Sequence, residues 1–305
     1  MSNPRLFAAN STVICLIVTY KPSILELKNT LDVLGGQVDK ILIIDNFSGG
    51  SSRKELQLLL CAGDHENCEL ILLDKNHGLA YAQNVGIDYA LKHNYDFTLL
   101  LDQDSSPHSE FVNHLLHVFF DTELMNVAIV GPVIQDRRLS FNSPACEADK
   151  VHAIKKDFII ASGSLIKATA LLEIGGMAEA LFIDHIDHEW CFRARSFGYE
   201  IYESPQATLS HALGDKVISM WLFGRKNVSI HSPLRNYYKV RNAIYLCSLK
   251  YIPIRWRLFF LLQSIKVSVF SVLVAGERRK RLHYLYMSLR DGIRSRLGNL
   301  DDQSD

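Results

Sequence analysis

The chain has 305 residues, 48% of them hydrophobic, and its 33 basic side chains balance 33 acidic ones. This composition excludes a disordered chain and predicts a substantial core, while the formal net charge of zero gives no general attraction to nucleic acid. The six cysteines lack CxxC spacing, which argues against a zinc site or a disulfide framework and favours the reducing cytoplasm. The first apolar run, Val13 to Val18, is too short for a signal peptide or a membrane anchor and predicts a strand.

From Val13 to about Val133, short β-branched runs alternate with longer helical patterns. The predicted strands are Val13–Val18, Ile41–Ile44, Leu70–Leu73, Thr98–Leu101 and Val127–Val130. The predicted helices are Ser23–Leu34, Ser52–Cys61, Leu79–His93 and Ser109–Phe120. This alternation predicts a doubly wound, mostly parallel α/β sheet whose ligand crevice lies at the carboxyl ends of the strands.

Polar residues follow three of these strands, at Thr19-Tyr20, Asp45-Asn46 and Asn76 to Gly78. Taken singly, each is compatible with ordinary turn chemistry, and Asp45 alone is more typical of a turn aspartate. Gly78 precedes a predicted helix, and a helix N-terminus is suited to negative charge. Because the placement repeats along one predicted edge, it indicates a binding site for a nucleotide or another anionic ligand.

Asp102 and Asp104 follow an uninterrupted apolar run that predicts a strand buried on both faces. Two such carboxylates can share a divalent cation with diphosphate oxygens, because Mg²⁺ and Mn²⁺ favour oxygen ligands. The alternative is that both are turn residues before Pro107. The chain contains neither GxGxxG after the first strand nor GxxxxGK[ST], which disfavours a dinucleotide oxidoreductase and a P-loop NTPase.

The second half begins with a polar stretch, 135–150, that predicts a flexible excursion. An apolar run with small residues follows at Phe158–Ile166, where a ligand or another backbone could approach closely. Leu171–Met177 predicts a helix with a glycine stop, and His211 lies at the end of a predicted strand. Within Leu181–Arg193, acids and histidines alternate with apolar residues.

Asp187 is the first candidate for a general base, since a carboxylate at the start of a helix, half enclosed by neighbours such as Trp190, can take a proton from a hydroxyl. The alternative is that Asp184 or Asp187 serves as an N-cap and Glu189 as a helix-dipole acid. His211 alone is more typical of a structural histidine, although it could complete a mixed Asp/His metal shell.

Six motifs together carry a family resemblance that covers Val13 to about Tyr245. They are Thr19-Tyr20, Asp45-Asn46, the run Asn76–Gly86, Asp102-Gln103-Asp104, Asp184–Arg193 and Tyr238–Asn242. On these residues the chain resembles the inverting GT-A glycosyltransferases of family 2, and among them the bacterial rhamnosyltransferases that build O-antigen and other surface polysaccharides. Many relatives have Glu-Asp where this chain has Ile186-Asp187, so Asp184 competes with Asp187 for the catalytic role.

The resemblance implies a GT-A catalytic domain over residues 1–248, with a nucleotide-binding half near 13–134 and an acceptor-binding half near 151–248. It implies inverting transfer of L-rhamnose from dTDP-L-rhamnose, with Asp187 as the base. Asp104 and His211 are implied as ligands of a Mg²⁺ or Mn²⁺ ion that bridges the diphosphate. The other residues implied at the donor are Thr19, Tyr20, Asp45, Asn76, Gly78, Gln83, Asp102, Gln103 and Arg241, with Arg235 or Lys239 as alternatives to Arg241.

The C-terminal segment, 249–305, predicts helices that carry an apolar run from Leu258 to Ala275 and a basic cluster from Arg278 to Arg281. Lys266 within the run counts against a membrane span, so an interfacial helix on the inner face of the cell membrane is expected. This location suits an acceptor glycan on a polyprenyl diphosphate lipid. The alternative is a helical hairpin packed on the catalytic domain or on a second copy of the chain.

Three other functions compete with rhamnosyl transfer. A family 2 transferase could use a UDP- or GDP-sugar instead. The sequence around Asp102 also resembles the DxD loop of haloacid-dehalogenase-type phosphohydrolases, although that motif is expected nearer the chain start. A non-catalytic nucleotide-binding scaffold is disfavoured by the presence of both Asp104 and Asp187.

Overall fold

The computed structural model describes residues 11–61, 65–136, 153–211, 216–221 and 225–300, with side chains described except at 136, 211, 216–221 and 225–230. The described chain divides into two compact units. The first unit comprises Met1–Met177 with Trp190–Ala212, and the second comprises Ala178–Glu189 with Leu213–Asp305. The domain boundary expected after residue 248 stays a prediction. Most of the polar stretch 135–150 lies outside the described residues.

A mixed sheet forms the centre of the first unit, with its strands in the order β3-β2-β1-β4-β8-β6-β9-β5 and β7 paired to β9. These strands are β1 Val13–Thr19, β2 Lys40–Asp45, β3 Cys68–Leu72, β4 Phe97–Asp102, β5 Ser106–Pro107, β6 Val127–Asp136, β7 Ile154–Lys156, β8 Ser164–Lys167 and β9 Glu200–His211. The first four strands along the order are parallel, as predicted, whereas β8 pairs antiparallel with both β4 and β6.

Helices connect the strands of the first unit. They are α1 Ile24–Leu34, α2 Gly50–Cys61, α3 Leu79–Lys92, α4 Phe111–Phe119, α5 Ala168–Ile174 and α6 Ile186–Ser196, the last of which begins in the second unit. The five predicted strands and four predicted helices of the N-terminal half are confirmed, with ends shifted by a few residues. The predicted glycine stop is also confirmed, because Gly175 ends α5 with a φ of 87°.

The core lies around β1, β2 and β4, whose inner residues are buried on both faces of the sheet. Every residue from Val13 to Ile17 is at most 2% exposed. The apolar face of α1, formed by Leu27, Leu31 and Leu34, is completely buried against this core. The uninterrupted apolar strand β1 is therefore covered on both faces of the sheet, which is the usual arrangement in parallel sheets.

The second half of the sheet differs from the sequence prediction in two respects. The strand expected at Val127–Val130 continues to Asp136, because its outer part also pairs in parallel with β9. In the apolar run Phe158–Ile166, only the part from Ser164 onward is a strand. Gly163 has a φ of 80°, and a Cβ there would lie 2.8 Å from the side chains of both Leu209 and Pro132. The close approach predicted for this run is thus made by protein side chains.

Among the described residues, three α-helices and a hairpin lie wholly in the second unit, which also contains the 3₁₀ helix Glu179–Leu181 and the start of α6. The helices are α7 Pro233–Leu246, α8 Ile254–Val274 and α9 Arg278–Ile293, and the antiparallel hairpin is formed by β10 Lys216–Trp221 and β11 Arg225–Ile230. Ser232 caps α7 by accepting a hydrogen bond from Arg235 N, and Pro233 occupies the first helical turn. Helices α8 and α9 both pack on α7. The C-terminal helices expected from the sequence are confirmed.

Candidate active site

Sheet register brings the polar strand ends of the first unit to one edge. Thr19 at the end of β1 is paired with Asp45 at the end of β2, and Val18 is paired with Asp102 at the end of β4. We call the residues that follow these strands, together with Asn76–Gly78 after β3, the polar edge. The predicted convergence of strand ends is therefore observed in the first unit.

Asp45 is the centre of the hydrogen bonding at the polar edge. Its carboxylate is completely buried and accepts hydrogen bonds from Thr19 Oγ1 at 3.3 Å and Ser48 N at 3.1 Å. The Ser48 hydroxyl donates as well, and Arg53 Nε forms an ion pair at 2.9 Å. Because a buried carboxylate is costly unless it is paired and hydrogen-bonded, these contacts fix the loop after β2. The contact predicted between Asp45 and a nucleoside stays a prediction.

Two asparagines connect the loops after β2 and β3. Asn46 Nδ2 donates to Asn76 Oδ1 at 3.0 Å, and Asn46 Oδ1 accepts from His77 N at 3.0 Å. Asn76 Oδ1 also accepts from Gly78 N at 3.0 Å. Gly78 has a φ of 92°, a conformation that favours glycine, and it directly precedes α3. The N-terminus of α3 therefore lies beside the polar edge, where its dipole favours negative charge.

Gln103 joins the loop after β4 to the loop after β1. Its side-chain amide accepts from Tyr20 N at 2.8 Å and donates to Tyr20 O at 3.3 Å. The Tyr20 ring itself is 45% exposed, and Lys21 Nζ lies 5.2 Å from the ring centre. Asp102 and Asp104 on either side of Gln103 are half-buried. The Asp-Gln-Asp loop is thus fixed by its middle residue.

Asp104 and His211 were predicted to hold a metal ion together. In β5, Ser106 is paired with Ser210 of β9, so the backbone of His211 lies alongside the loop that carries Asp104. The His211 side chain is outside the described part of the structure. Among the side chains that are described, no group of three or more His, Cys, Asp or Glu residues is arranged to hold a metal. The backbone register and the oxygen donor of Asp104 nevertheless fit Mg²⁺ or Mn²⁺.

Gln83 lies in α3 and is 4% exposed. Its Oε1 atom has no hydrogen-bond partner among the described residues. Buried polar atoms are rarely left unpaired, so this atom is unusual in a region that is otherwise well hydrogen-bonded. Its predicted donor contact stays a prediction.

Two residues without a predicted role, Arg193 and Asn84, fix the loop after α5. Arg193 donates to Ile174 O and to Gly176 O, each at 2.7 Å. Asn84 donates to Met177 O at 3.0 Å and accepts from Met177 N at 2.7 Å. Both polar residues belong to motifs that carry the family resemblance, but their partners are backbone atoms about 20 to 90 positions away in sequence, and those leave no sequence signal.

In the second unit, the turn before α6 has an unusual backbone. Phe182, Asp184 and His185 have φ values of 66°, 64° and 65°. At Phe182, Ile183 N donates to Leu181 O at 2.8 Å, which closes a γ-turn. Left-handed conformations of non-glycine residues cost on the order of 1–3 kcal/mol each and persist only where surrounding contacts enforce them. We call residues 181–185 the strained turn.

Asn242 of α7 enforces this conformation. Its Nδ2 group donates to three backbone carbonyls of the strained turn, those of Leu181 at 2.9 Å, Ile183 at 2.8 Å and Asp184 at 3.0 Å. Its Oδ1 atom accepts from Arg241 Nε at 3.0 Å and Nη2 at 2.9 Å. Asn242 is completely buried, so the loss of these donors would leave carbonyl groups unpaired in the interior.

Arg241 is placed differently from the sequence prediction, which put it near the donor diphosphate. Its side chain is completely buried, donates to Leu181 O at 3.1 Å and Gly298 O at 2.7 Å, and lies over the ring of Tyr238 at 4.8 Å. A guanidinium without exposed surface cannot reach a bound diphosphate in this conformation. The geometry instead gives Arg241 a structural role beside Asn242.

Asp184 and Asp187 have different surroundings. The Asp184 side chain is 11% exposed and lies 3.3 Å from Arg235 Nε. Burial on its own raises the pKa of Asp184, but the charges of Arg235 and Lys239 outweigh it and hold this pKa below its usual value. Asp187 lies in the first turn of α6, as predicted. Its side chain is 21% exposed, and it accepts from His188 N at 2.8 Å.

His185 lies between these two acids in sequence and is buried. Its Nδ1 is 3.0 Å from His188 Nδ1, and its Nε2 is 3.3 Å from the Ser264 hydroxyl. Burial, followed by the neighbouring His188, lowers the pKa of His185 to about 3. His185 is therefore neutral at physiological pH, and it anchors the strained turn to α8.

Comparisons with known proteins agree with this geometry. Residues 15–161 match the family model described as glycosyl transferase family 2. The dTDP-rhamnosyl transferase RfbF of Shigella flexneri is 32% identical over 95% of this chain and 98% of its own length. The low-salt glycan biosynthesis hexosyltransferase Agl10 of Haloferax volcanii is 25% identical over 86% of this chain and 81% of its own length.

Two solved structures show the same fold at low sequence identity. The mannosyltransferase PcManGT of Pyrobaculum calidifontis, solved with GDP-Man and Mn²⁺, is 11% identical with a TM-score of 0.58, over 92% of this chain and 86% of its own. Residues 1–349 of TarS from S. aureus, solved with UDP-GlcNAc, are 14% identical with a TM-score of 0.55, over 93% and 81%. The fold is therefore GT-A, and the chain belongs to glycosyltransferase family 2.

Proposed function

We propose that this glycosyltransferase transfers L-rhamnose from dTDP-L-rhamnose to a hydroxyl group of a lipid-linked glycan, with inversion, during the synthesis of a bacterial surface polysaccharide such as O-antigen. The observation that carries the proposal is the 32% identity over 95% of the chain to a protein described as a dTDP-rhamnosyl transferase. The polar edge supports it, because it offers an exposed aromatic ring, polar side chains and a helix N-terminus at one end of a parallel sheet.

The donor is proposed to bind at the polar edge. Tyr20 has an exposed face that can stack on the nucleobase. Asp45 and Thr19 would recognise the nucleoside through the loop that they fix, while Asn76 and Gly78 order the N-terminus of α3. Gln83, Asp102 and Gln103 complete the set of residues that we assign to the donor.

Asp104 and His211 are proposed to hold a Mg²⁺ or Mn²⁺ ion. Ser106, two residues after Asp104, is paired with Ser210, the residue before His211, which supports this assignment. Two protein ligands would leave positions for phosphate oxygens of the donor. When bound, such an ion neutralises the charge that develops on the leaving diphosphate. The chain itself contributes the orientation of the loop, because Gln103 fixes it to the backbone of Tyr20.

Asp187 is proposed to remove the proton from the acceptor hydroxyl as this oxygen attacks the anomeric carbon. Asp184 is the weaker candidate, because its ion pair with Arg235 lowers its affinity for a proton. Asp187 lies two residues after the strained turn, so the direction of its side chain depends on the backbone that Asn242 enforces. Asn242 is therefore proposed as a positioning residue and not as a catalytic one.

The acceptor is proposed to be a glycan on a polyprenyl diphosphate lipid at the cytoplasmic face of the membrane. The charge of the C-terminal helices supports this location. Residues 254–296 contain ten basic side chains and two acidic ones, whereas the whole chain is formally neutral. A basic segment of this kind is attracted to the anionic lipids of the inner leaflet.

A second candidate function is transfer from another nucleotide sugar. Agl10 is described as a hexosyltransferase, and the two structural neighbours were solved with GDP-Man and UDP-GlcNAc.

A donor panel with the purified protein separates transfer of rhamnose from transfer of another sugar. It uses dTDP-rhamnose, UDP-glucose, UDP-galactose and GDP-mannose with Mg²⁺ or Mn²⁺, and it measures binding and the release of nucleoside diphosphate. We expect kcat/KM for dTDP-rhamnose to exceed the others by about tenfold or more, since the site must distinguish the base as well as the sugar. Faster release from a UDP- or GDP-sugar would contradict the proposed donor.

Replacement of Asp187 by Asn tests the base. Loss of a general base typically lowers the rate by ~10² to 10⁴, and the amide is nearly the same size as the carboxylate. We expect kcat of Asp187→Asn to fall within this range, while titration calorimetry gives an unchanged Kd for dTDP. The matched variant Asp184→Asn removes the ion pair with Arg235 and should retain more activity. Normal turnover by Asp187→Asn, with a severe loss in Asp184→Asn, would move the role to Asp184.

Replacement of Asn242 by Asp tests the positioning role. The new carboxylate keeps an acceptor for Arg241 but removes the donors to three carbonyls, so the strained turn should relax. A displacement of about 1 Å can cost ~10² in rate. We therefore expect kcat to fall about a hundredfold and the pH profile of kcat to shift, while Kd for dTDP stays within about twofold.

The control for this experiment is Asn236→Asp. Asn236 lies on the same helix and is 7% exposed, and its Oδ1 has no hydrogen-bond partner among the described residues. Thermal unfolding of both variants verifies that they are folded. Unchanged kcat and pH profile in Asn242→Asp, or an equal loss of kcat and dTDP binding, would contradict the role.

A further inference from the structure

Helix α8 has its polar and apolar faces reversed relative to a helix that packs in water. Its buried residues are Phe260, Ser264, Ser268 and Ser271, which recur at helical spacing. The large exposed side chains on the same helix are Ile254, Leu258, Phe259, Leu262, Val269, Leu273 and Val274. Leu262 and Leu273 are each 65% exposed, whereas Ser271 is completely buried. The outer face is therefore mainly apolar, although it also exposes Arg255, Gln263 and Lys266, and the inner face is rich in hydroxyl groups.

Helix α1 of the first unit provides the contrast. Its buried face consists of Leu27, Thr30, Leu31 and Leu34, and its acidic residues Glu26 and Asp32 are exposed. That arrangement is expected of a helix between a core and water. In bilayers the preference differs, because small residues bring helices together and large apolar side chains contact lipid. The pattern of α8 follows the second rule.

Helix α9 repeats this pattern independently. Leu282, Tyr286, Leu289 and Ile293 are exposed at intervals of four, three and four residues, with Ile293 at 76%. Its buried residues are Ser288, Asp291 and Gly292. A Cβ at Gly292 would lie 2.9 Å from the Ile244 side chain, so α9 approaches α7 closely through a small residue.

The charge of residues 254–296 indicates which partner binds this apolar surface. The segment has ten basic residues and two acidic ones, and Arg278, Arg279 and Lys280 are exposed. Asp291, one of the two acids, is buried and paired with Arg290 at 2.8 Å. Two copies of so basic a surface would repel each other, whereas anionic lipid would attract it.

The sequence of α8 distinguishes a helix that lies on a membrane surface from one that spans the membrane. Ile254–Val274 is the one helix within the described ranges that is long and apolar enough to cross a bilayer, with a mean hydropathy of 1.7. However, Gln263 and Lys266 are exposed near its midpoint, and a charged residue at the centre of a bilayer is costly. A lysine at an interface can instead extend toward the headgroups.

We propose that the outward faces of α8 and α9 dock the enzyme on an anionic bilayer, with the helices in the plane of the interface. The inference deepens the proposed function, on which it rests for the lipid-linked acceptor, and it identifies the partner as the membrane surface itself. The docking surface comprises the exposed apolar side chains of both helices together with the basic residues at the start of α9.

Vesicle flotation with the full chain tests this proposal. The probes are phosphatidylcholine vesicles and vesicles that also contain phosphatidylglycerol, at low and high salt. We expect binding to the anionic vesicles that weakens with salt. Leu258→Glu with Leu262→Glu should reduce binding roughly tenfold to a hundredfold, because two apolar anchors are lost. The matched control is Leu25→Glu with Leu58→Glu, which changes two leucines of the first unit that are each 70% exposed and should leave binding unchanged.

Three results would overturn the proposal. They are absence of wild-type binding to anionic vesicles, an equal loss of binding in the control variant, and resistance of the bound protein to alkaline carbonate, which indicates a membrane span. A dimer in sedimentation velocity that the α8 variant disrupts, without vesicle binding, would identify a second copy as the occupant. Calorimetric titration with dTDP is run on every variant, so that failure of the donor assignment is distinguished from failure of membrane docking.

Discussion

The strained turn of the second unit depends on one side chain, Asn242, which holds a backbone conformation that the local sequence does not favour. Three residues of the strained turn adopt positive φ without being glycine, at a cost on the order of 1–3 kcal/mol each. The hydrogen bonds from the Asn242 amide group to three backbone carbonyls offset that cost. Arg241 fixes the amide from the opposite side through Asn242 Oδ1. Backbone strain of this kind is concentrated at functional sites, and here it directly precedes α6, in which Asp187 is the second residue.

The polar edge of the first unit is built on a different principle. Parallel strands place their carboxyl ends at one edge, and polar side chains of this edge fix the loops there. Asp45 fixes the loop after β2, Asn76 fixes the entry to α3, and Gln103 fixes the Asp-Gln-Asp loop to Tyr20. The carboxylate most buried at this edge is thereby committed to internal contacts. The exposed Tyr20 ring and the half-buried Asp104 are better placed to meet a ligand.

Much of the first unit could be predicted from the sequence, because buried parallel strands appear as unbroken apolar runs and strand ends as polar loops. Asp187 at the start of a helix and His211 at the end of a strand were also predictable. The structural role of Arg241 was not predictable, since the acceptors of its hydrogen bonds are backbone carbonyls 57 and 60 residues away. A charged residue in a motif indicates function, but carbonyl partners leave no trace in the side-chain sequence. The buried serines of α8 were not predictable either, because in the sequence they only interrupt an apolar run.

The proposed mechanism is a single displacement, in which Asp187 activates the acceptor hydroxyl and the diphosphate leaves from the opposite side of the anomeric carbon. NMR of the glycan product tests this mechanism most directly, because the one-bond coupling between C1 and H1 of the transferred sugar reports its anomeric configuration. A single displacement gives a product whose configuration at this carbon is opposite to that of the sugar in the nucleotide donor. A product with the donor's configuration would require a second displacement or a different geometry, and it would contradict the proposed mechanism.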